Sequence, residues 1–317
     1  MSSPRRRGSS IKNYKNSLLW LSFLYSIFPM KILDGRKTAK IKEEELLKRV
    51  KSFSVAPSFA IVLVGEREDS KTYVKQKIKT ADRIGIKTHL FSFPEKIKQE
   101  ELIEKIKELN SNKDINGIIV QMPLPPHINT RIVLDTINPS KDVDGLTTFN
   151  QGKILTGDPS AFIPATARGV ISLLDISGIS LQGKRVVVVG RSLLVGRPSA
   201  LLAEKHGATI IQCHSKTKKL EELTKLADIL IVAVGKPKFI GAKHVRKGQV
   251  VVDVGITVSE KKGKKVLFGD VDFEKVSKIV KAISPVPGGV GPMTVISLLE
   301  NVADSYQSQK AKVKIQK

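Results

Sequence analysis

The chain has 317 residues, 41% hydrophobic and 26% charged, which gives length for two domains of ordinary size and the balance of a folded protein. A single cysteine, Cys213, excludes an internal disulfide framework and a multi-cysteine zinc site, and fits a reducing compartment. A net charge of +24 would draw polyanions, but aromatic residues are only 5% of the chain and nowhere interleave with the basic ones, which argues against a base-stacking nucleic-acid platform.

Residues 1–29 carry five Lys/Arg and no acid. A basic start leads through a polar stretch to the apolar run Leu18 to Phe28, the outline of a signal-peptide core or an organelle-targeting segment. The run is too short for a membrane span, which needs ~20 apolar residues, and no small-x-small cleavage pattern follows it. Met30-Lys-Ile-Leu-Asp-Gly35 begins a globular pattern at once, so a translated upstream extension before a natural start at Met30 is the favoured reading. Residues 310–317 add four Lys and no acid, so nine of the 24 excess charges sit at the two ends.

From Thr38 the patterns alternate. Thr38 to Val50 sets Ile41, Leu46, Leu47 and Val50 among charges and predicts an amphipathic helix. Ser58 to Gly65 is a continuous apolar run closed by Gly, as in a buried parallel strand. A helix is expected over Ser70 to Ile84, stopped by Gly85, then a strand near Thr88 to Phe93, a helix from Gln99 to Leu109, and a strand Gly117 to Met122. Short connections between such repeats predict a parallel α/β sheet. A second unit opens with a helix near Thr166 to Ile176. Strands follow at Arg185 to Gly190, Ala208 to Cys213, Ile229 to Val234, Gln249 to Val254 and near Ala282 to Ser284, with a helix from Arg197 to His206. This is the cadence of a dinucleotide-binding domain. Glu260 to Lys265 reads as a solvated hairpin loop, and a last helix is expected over Thr294 to Gln307.

Gly190-Arg-Ser-Leu-Leu-Val-Gly196-Arg-Pro198 lies between a buried strand and a helix, where a dinucleotide fingerprint belongs. It departs from G-x-G-x-x-G, with Ser192 in place of the second glycine. A plain strand-to-helix turn is the bland alternative, but Pro198 suits a first helical turn, whose N–H groups and dipole attract phosphate. About twenty residues on, an NAD site would offer an acid to the ribose hydroxyl. Here Cys213-His214-Ser215-Lys216 carries none, and a hydroxyl with a cation suits a 2′-phosphate. Arg191 and Arg197 add bidentate partners. The residues therefore point to NADP over NAD.

Catalytic candidates come from the first unit. Tyr73 and Lys77 are four apart and share a helical face. A lysine held in a cleft can lose solvation and carry protons near neutral pH. Spacing alone is a weak signal in so lysine-rich a chain. Gln121 stands at the carboxyl end of a buried strand, where ligands bind in open α/β sheets, although a lone Gln there is more often a loop residue. Lys141-Asp142-Val143-Asp144-Gly145 could be a turn, an ion-pair site or a ligand clamp. Pro285-Val-Pro-Gly-Gly-Val-Gly-Pro-Met-Thr294 packs three prolines and three glycines into ten residues before a helix, fixing its own shape and bringing backbone very close to something.

Taken in order, Tyr73-Val-x-x-Lys77, Val120-Gln-Met-Pro-Leu-Pro125, Lys141-Asp-Val-Asp-Gly145, Val189-Gly-Arg-Ser-x-x-Val-Gly-Arg-Pro198, His214-Ser-Lys216 and the proline–glycine segment resemble the methylenetetrahydrofolate dehydrogenase/cyclohydrolase (FolD) family over residues 31–307. The resemblance implies two parallel-sheet α/β domains. Residues 30–162 plus 294–317 would form a catalytic folate-binding domain and 163–293 a Rossmann-like NADP-binding domain, with the C-terminal helix returning to the first. It implies a metal-free, cytoplasmic homodimer (organellar if residues 1–29 are a targeting segment) that makes purine precursors. That enzyme oxidises 5,10-methylenetetrahydrofolate with NADP and hydrolyses the product to 10-formyltetrahydrofolate. Lys77 would be the catalytic lysine, tuned by Gln121, with Tyr73 against the folate's aromatic part and Asp144 gripping the pterin. Val120, Met122, Pro287, Gly288, Gly289, Val290 and Gly291 would complete the folate site. Gly190, Arg191, Ser192, Arg197, Ser215 and Ile256 would hold NADP. Many members read Pro-Cys-Thr-Pro-x-Gly where this chain has Pro164-Ala-Thr-Ala-Arg-Gly169, which puts the local loop geometry in question. The rival readings are another NADP-dependent dehydrogenase on a related scaffold, such as a shikimate-type enzyme, which Tyr73, Lys77 and Gln121 speak against, and a basic nucleic-acid-binding protein with a worn enzyme fold.

Overall fold

The computed structural model describes residues 30–261 and 264–315. The expectations for residues 1–29 lie outside the described residues. Strand β1 (Lys31–Ile32) leads into helix α1 (Gly35–Lys51). Asp34 caps that helix by accepting from the amides of Arg36 at 2.9 Å and Lys37 at 3.0 Å. Lys48, Arg49 and Lys51 in its last turn complement the negative end of the helix dipole. Strand β2 (Ser58–Val64) is buried at every position, because Phe59, Ile61 and Leu63 face one core and Ala60, Val62 and Val64 the other. Helix α2 (Glu68–Ile84) has acids in its first turn and stops at Gly85, whose φ of 85° favours glycine. Strand β3 (Lys87–Phe93), helix α3 (Gln99–Ser111) and strand β4 (Gly117–Val120) complete a parallel sheet in the order β3-β2-β4.

Two short helices follow, α4 (Thr130–Thr136) and α5 (Thr148–Leu155), each announced by a side-chain cap from Asn129 or Thr147. Helix α6 (Ala165–Ile176) opens the second unit. It continues through β5 (Arg185–Val189), α7 (Gly196–Lys205), β6 (Thr209–Cys213), α8 (Leu220–Leu226), β7 (Ile229–Val232) and β8 (Val250–Asp253). Beyond the antiparallel hairpin of β9 (Thr257–Lys261) and β10 (Lys264–Phe268) come α9 (Phe273–Val276), β11 (Ala282–Ile283) and α10 (Val290–Ile315). The second sheet runs β1-β11-β8-β7-β5-β6, parallel throughout.

Three expectations change. Lys31–Ile32, where no element was expected, forms a strand of the second sheet, with Lys31 N donating to Lys281 O and Leu33 N to Ile283 O, both at 2.9 Å. A two-residue edge strand leaves no periodicity to read. Glu260 to Lys265, expected as a loop, is strand at both ends, and its turn at 262–263 lies outside the described residues. Helix α10 starts at Val290 and not at Thr294.

That last helix joins the two units. Its Leu298, Leu299, Val302 and Ala303 are fully buried in one core that also takes residues from β2, β5 and β7. Its polar side chains reach both halves: Asn301 donates at 2.8 Å to Val143 O and to Ile163 O, and Ser305 at 2.7 Å to Asn116 O. Arg168 of α6 pairs with Glu300 at 3.1 Å and with Asp304 at 2.7 Å. Among the described residues no helix is long and apolar enough to cross a membrane.

Candidate active site

Between the carboxyl end of β4 and helix α2 lies a cavity of about 220 Å³. Gln121, the first residue after β4, is held to β2 through its amide and Val62 O at 2.8 Å. Its side chain is aimed from both ends: Nε2 donates to Met122 O at 2.9 Å, and Oε1 accepts from Lys77 Nζ at 2.9 Å. Lys77 lies on the inner face of α2 and is only 8% exposed. Tyr73, one turn earlier, is half-buried. The cavity brings together Tyr73, Lys77, Val120, Gln121, Met122 and Asp144, which are all of the first-unit residues that the resemblance assigned to the folate site.

The ambiguity of the two acids resolves by contact. Asp142 is fully buried and accepts from Leu146 N (3.1 Å), Thr147 N (2.9 Å) and Asn150 Nδ2 (2.8 Å), so it builds the turn. Lys141 is likewise structural, donating to Leu109 O at 3.0 Å and Asn112 O at 2.6 Å at the end of α3. Asp144 alone faces the cavity. Gly145, at φ 67°, has no room for a Cβ, which would sit 2.4 Å from Phe162 O.

Electrostatics separate the groups. Burial pushes Lys77 below the ordinary lysine range, and nearby Asp144 pulls it partly back. Burial pushes the Asp144 carboxyl up, against the pull of Lys77 and with a further push from Asp142. Burial and then Asp69 raise the Tyr73 phenol, so at neutral pH it keeps its proton and can donate. An enclosed lysine with a lowered affinity for its proton, fixed by an amide oxygen and next to a carboxylate, can shuttle a proton to and from a bound ligand.

Asp69, Ser70, Leu146, Pro164, Ala165, Thr166, Leu194 and Thr294, to which the sequence reading gave no site role, also line the cavity. Ser70 could have been found, being three residues before Tyr73 on the same face. The others arrive by tertiary folding. Leu194 sits in the glycine loop of the second unit, and Thr294 and Thr166 oppose each other with hydroxyl oxygens 3.3 Å apart. The proline–glycine stretch Pro287, Gly288, Gly289, Val290 and Gly291 does not line this cavity. It presses on the start of α1 instead, where Arg36 N donates to Gly288 O at 3.2 Å and a Cβ on Gly35 would lie 1.6 Å from Gly289 O.

In the second sheet β5 is followed by β6 on one side and β7 on the other, a topological switch point whose carboxyl-end crevice takes nucleotides in open α/β sheets. Gly190 stands there at φ 134°, and a Cβ on it would lie 2.2 Å from Ala233 O just past β7. Gly196 backs onto Gly190 as closely, at 2.4 Å from its carbonyl oxygen. These glycines leave backbone bare, as a dinucleotide cradle requires. Ser192 Oγ accepts from the amides of Val195 (3.2 Å) and Gly196 (3.4 Å), and Arg197 N donates to Ser192 O at 3.0 Å, so the expected free amides of α7's first turn are engaged within the loop. Arg191, Arg197 and Ser215 are exposed. Ile256 is half-buried, and a Cβ on Gly291 would meet its Cδ1 at 3.5 Å.

Two family models match the chain. Residues 33–144 match the family model described as tetrahydrofolate dehydrogenase/cyclohydrolase, catalytic domain, and residues 164–310 match tetrahydrofolate dehydrogenase/cyclohydrolase, NAD(P)-binding domain. The chain is 47% identical over 286 residues to the bifunctional protein FolD of Thermodesulfovibrio yellowstonii, covering 89% of this chain and 99% of that one. Among solved structures, the bifunctional FolD enzyme of Campylobacter jejuni is 43% identical with a TM-score of 0.84, covering 88% of this chain and 99% of that one. The Trypanosoma brucei FolD, solved with NADP cofactor and an inhibitor, is 35% identical with a TM-score of 0.84, covering 88% and 98%.

Proposed function

This chain belongs to the tetrahydrofolate dehydrogenase/cyclohydrolase family, and we propose that Lys77 is the proton carrier of its folate site. The enzyme oxidises 5,10-methylenetetrahydrofolate to 5,10-methenyltetrahydrofolate with NADP and hydrolyses that product to 10-formyltetrahydrofolate, in one-carbon metabolism. NADP, when bound, supplies the hydride acceptor.

In our reading the folate ring system enters the cavity against the Tyr73 ring, with Val120 and Met122 as its apolar wall and Asp144 accepting from the pterin's N–H groups. Lys77 then lies beside the one-carbon bridge. In the hydrolytic step water adds to the methenyl carbon, a C–N bond breaks, and the formyl group stays on the departing nitrogen's partner. Neutral Lys77 takes the first proton released by water and returns it to the nitrogen that leaves, the remaining hydroxyl proton passes to solvent as the formyl carbonyl forms, and Gln121 fixes the lysine Nζ. In the oxidative step the same lysine orients the substrate. The proline–glycine segment shapes the site from behind, and the proton chemistry does not pass through it. On the nucleotide side we assign Gly190, Arg191, Ser192, Arg197, Ser215 and Ile256 to NADP. The bare glycine backbone at the switch point and the absence of an acid after β6 favour the phosphorylated cofactor. We extend the reading to a cytoplasmic homodimer that supplies purine biosynthesis, with residues 30–162 plus 294–317 as the folate-binding domain and 163–293 as the nucleotide-binding domain.

The observation that carries this reading is the 2.9 Å contact of a buried Lys77 with Gln121 inside a cavity shared with Tyr73 and Asp144. Purified protein should reduce NADP when given methylenetetrahydrofolate, and Lys77→Met should abolish hydrolysis of methenyltetrahydrofolate. Undiminished hydrolysis by that variant would remove Lys77 from the role.

A further inference from the structure

Two buried aspartates outside the folate cavity have no part in the chemistry above. Asp270, fully buried in the turn after β10, accepts from three successive backbone amides: Val234 at 2.6 Å, Gly235 at 2.9 Å and Lys236 at 2.8 Å. Asp253, at the carboxyl end of β8, accepts from the amides of Gly255 (3.1 Å), Asp270 (3.0 Å) and Val271 (2.9 Å). Each carboxylate thus holds a different loop, and Asp253 also holds Asp270 through its backbone amide.

The packing leaves no slack. A Cβ on Gly255 would lie 2.0 Å from the Asp270 carboxyl carbon, and one on Gly269 would lie 1.9 Å from Asp253 Oδ2. Ser284, just past β11, locks the assembly by accepting from Asp253 N at 2.8 Å. Such buried, charge-assisted bonds are strong and geometrically exacting.

What the held loop borders gives the arrangement its meaning. Val234–Lys236 continues directly from Ala233, whose carbonyl is the surface that Gly190 must approach at the switch point. Ala233 itself is tied to β5, its amide donating to Val189 O at 2.8 Å. The loop is therefore one wall of the nucleotide crevice, and Ile256, assigned to the cofactor, follows Gly255 in the other loop that the pair fixes.

We propose that Asp270, supported by Asp253, is a positioning residue for NADP, holding the 234–236 loop and Ile256 in the shape that the dinucleotide enters. This rests on the nucleotide-binding reading of the second sheet. Neither aspartate touches the folate cavity or Lys77. Burial pushes the Asp253 carboxyl up to about 7 against the three amides that favour its charge, so its charge is expensive to keep buried.

The enzyme supplies its own control, since hydrolysis of methenyltetrahydrofolate uses no NADP. Asp270→Asn keeps the side chain's size but replaces one acceptor oxygen by a donor. Its KM for NADP should rise at least tenfold, with hydrolysis within twofold of wild type. A KM for NADP within twofold of wild type would overturn the proposal, and so would equal loss of both reactions, which marks general destabilisation. Gly235→Val reaches the same loop without touching either carboxylate. Its Cβ meets open space, but a φ of 67° resists a β-branched residue, so the loop must shift. It too should raise the KM for NADP and spare hydrolysis, and an unchanged KM would sink the idea even if Asp270→Asn failed to fold. Wild-type protein that reduced no NADP would be a failure of the nucleotide reading itself, separable from either variant's result.

Discussion

At the scale of single residues, enclosure is what sets the proposed proton carrier, Lys77, apart from the many other lysines. Lys77 loses the water that stabilises its ammonium, so its proton affinity falls, and Asp144 opposes part of that fall. A base must be neutral to accept a proton, so hydrolysis by wild type should rise with pH through the Lys77 titration. Asp144→Asn removes the opposing charge and should move that rising limb of the kcat–pH profile to lower pH, with a weaker KM for folate from the lost pterin contact. A limb that stayed in place, or moved to higher pH, would show that the two groups do not interact as described. The same linkage acts on stability. A lysine held below its unfolded value penalises the fold while it is charged, and the penalty is relieved as pH rises from its folded value towards ~10.4. The sequence went only part of the way here. The spacing of Tyr73 and Lys77 put them on one face, and Gln121 stood at a strand end, but nothing in Asp142-Val-Asp144 distinguishes a turn-building acid from a ligand-facing one. Three donors to Asp142, supplied by residues 146, 147 and 150, make that distinction.

At the scale of elements, the long helix α10 does the work of a hinge pin. Leu298 and Leu299 are fully buried where the cores of the two sheets meet, and Asn301 bonds to carbonyls on both sides of the junction. Leu298→Ala should therefore cost about 2–5 kcal/mol, the range for removing a buried leucine, read as a lower midpoint in urea unfolding. Because the cavity has walls from both units, the oxidative and hydrolytic activities should weaken together. A loss confined to one of them would mean that the helix serves one unit only. The helix and the inner strands were legible because they are long or continuously apolar, as at Ser58 to Val64 and Arg185 to Val189. Helices α4 and α5 were not, being seven and eight residues long with only a cap to mark each. Strand β1 escaped because two residues carry no period, and its partner β11 lies some 250 residues away, a distance on the order that only folding can bridge. The proline–glycine segment was legible as a constrained backbone, but the surface it is pressed against, the start of α1, was not.

At the scale of the whole molecule, the excess of positive charge acts on substrates that are anions. Nine of the 24 excess charges lie at the ends of the chain, and the remainder is spread over the rest of it, mostly as lysine. A field of this kind raises the encounter rate of a phosphorylated dinucleotide and a carboxylated folate without altering the chemical step. Salt screens it within a Debye length, ~8 Å at physiological ionic strength. The kcat/KM for NADP should therefore fall severalfold between 20 mM and 500 mM ionic strength (roughly the range over which the Debye length shrinks from beyond 20 Å to about 4 Å), while kcat holds steady. A chain beginning at Met30 separates the two sources of charge. If the field belongs to the folded body, the shortened chain keeps the same salt slope; if the slope disappears, the steering came from residues 1–29. A kcat/KM indifferent to salt in both chains would mean that the lysines balance around the cleft and that charge serves neither substrate's approach.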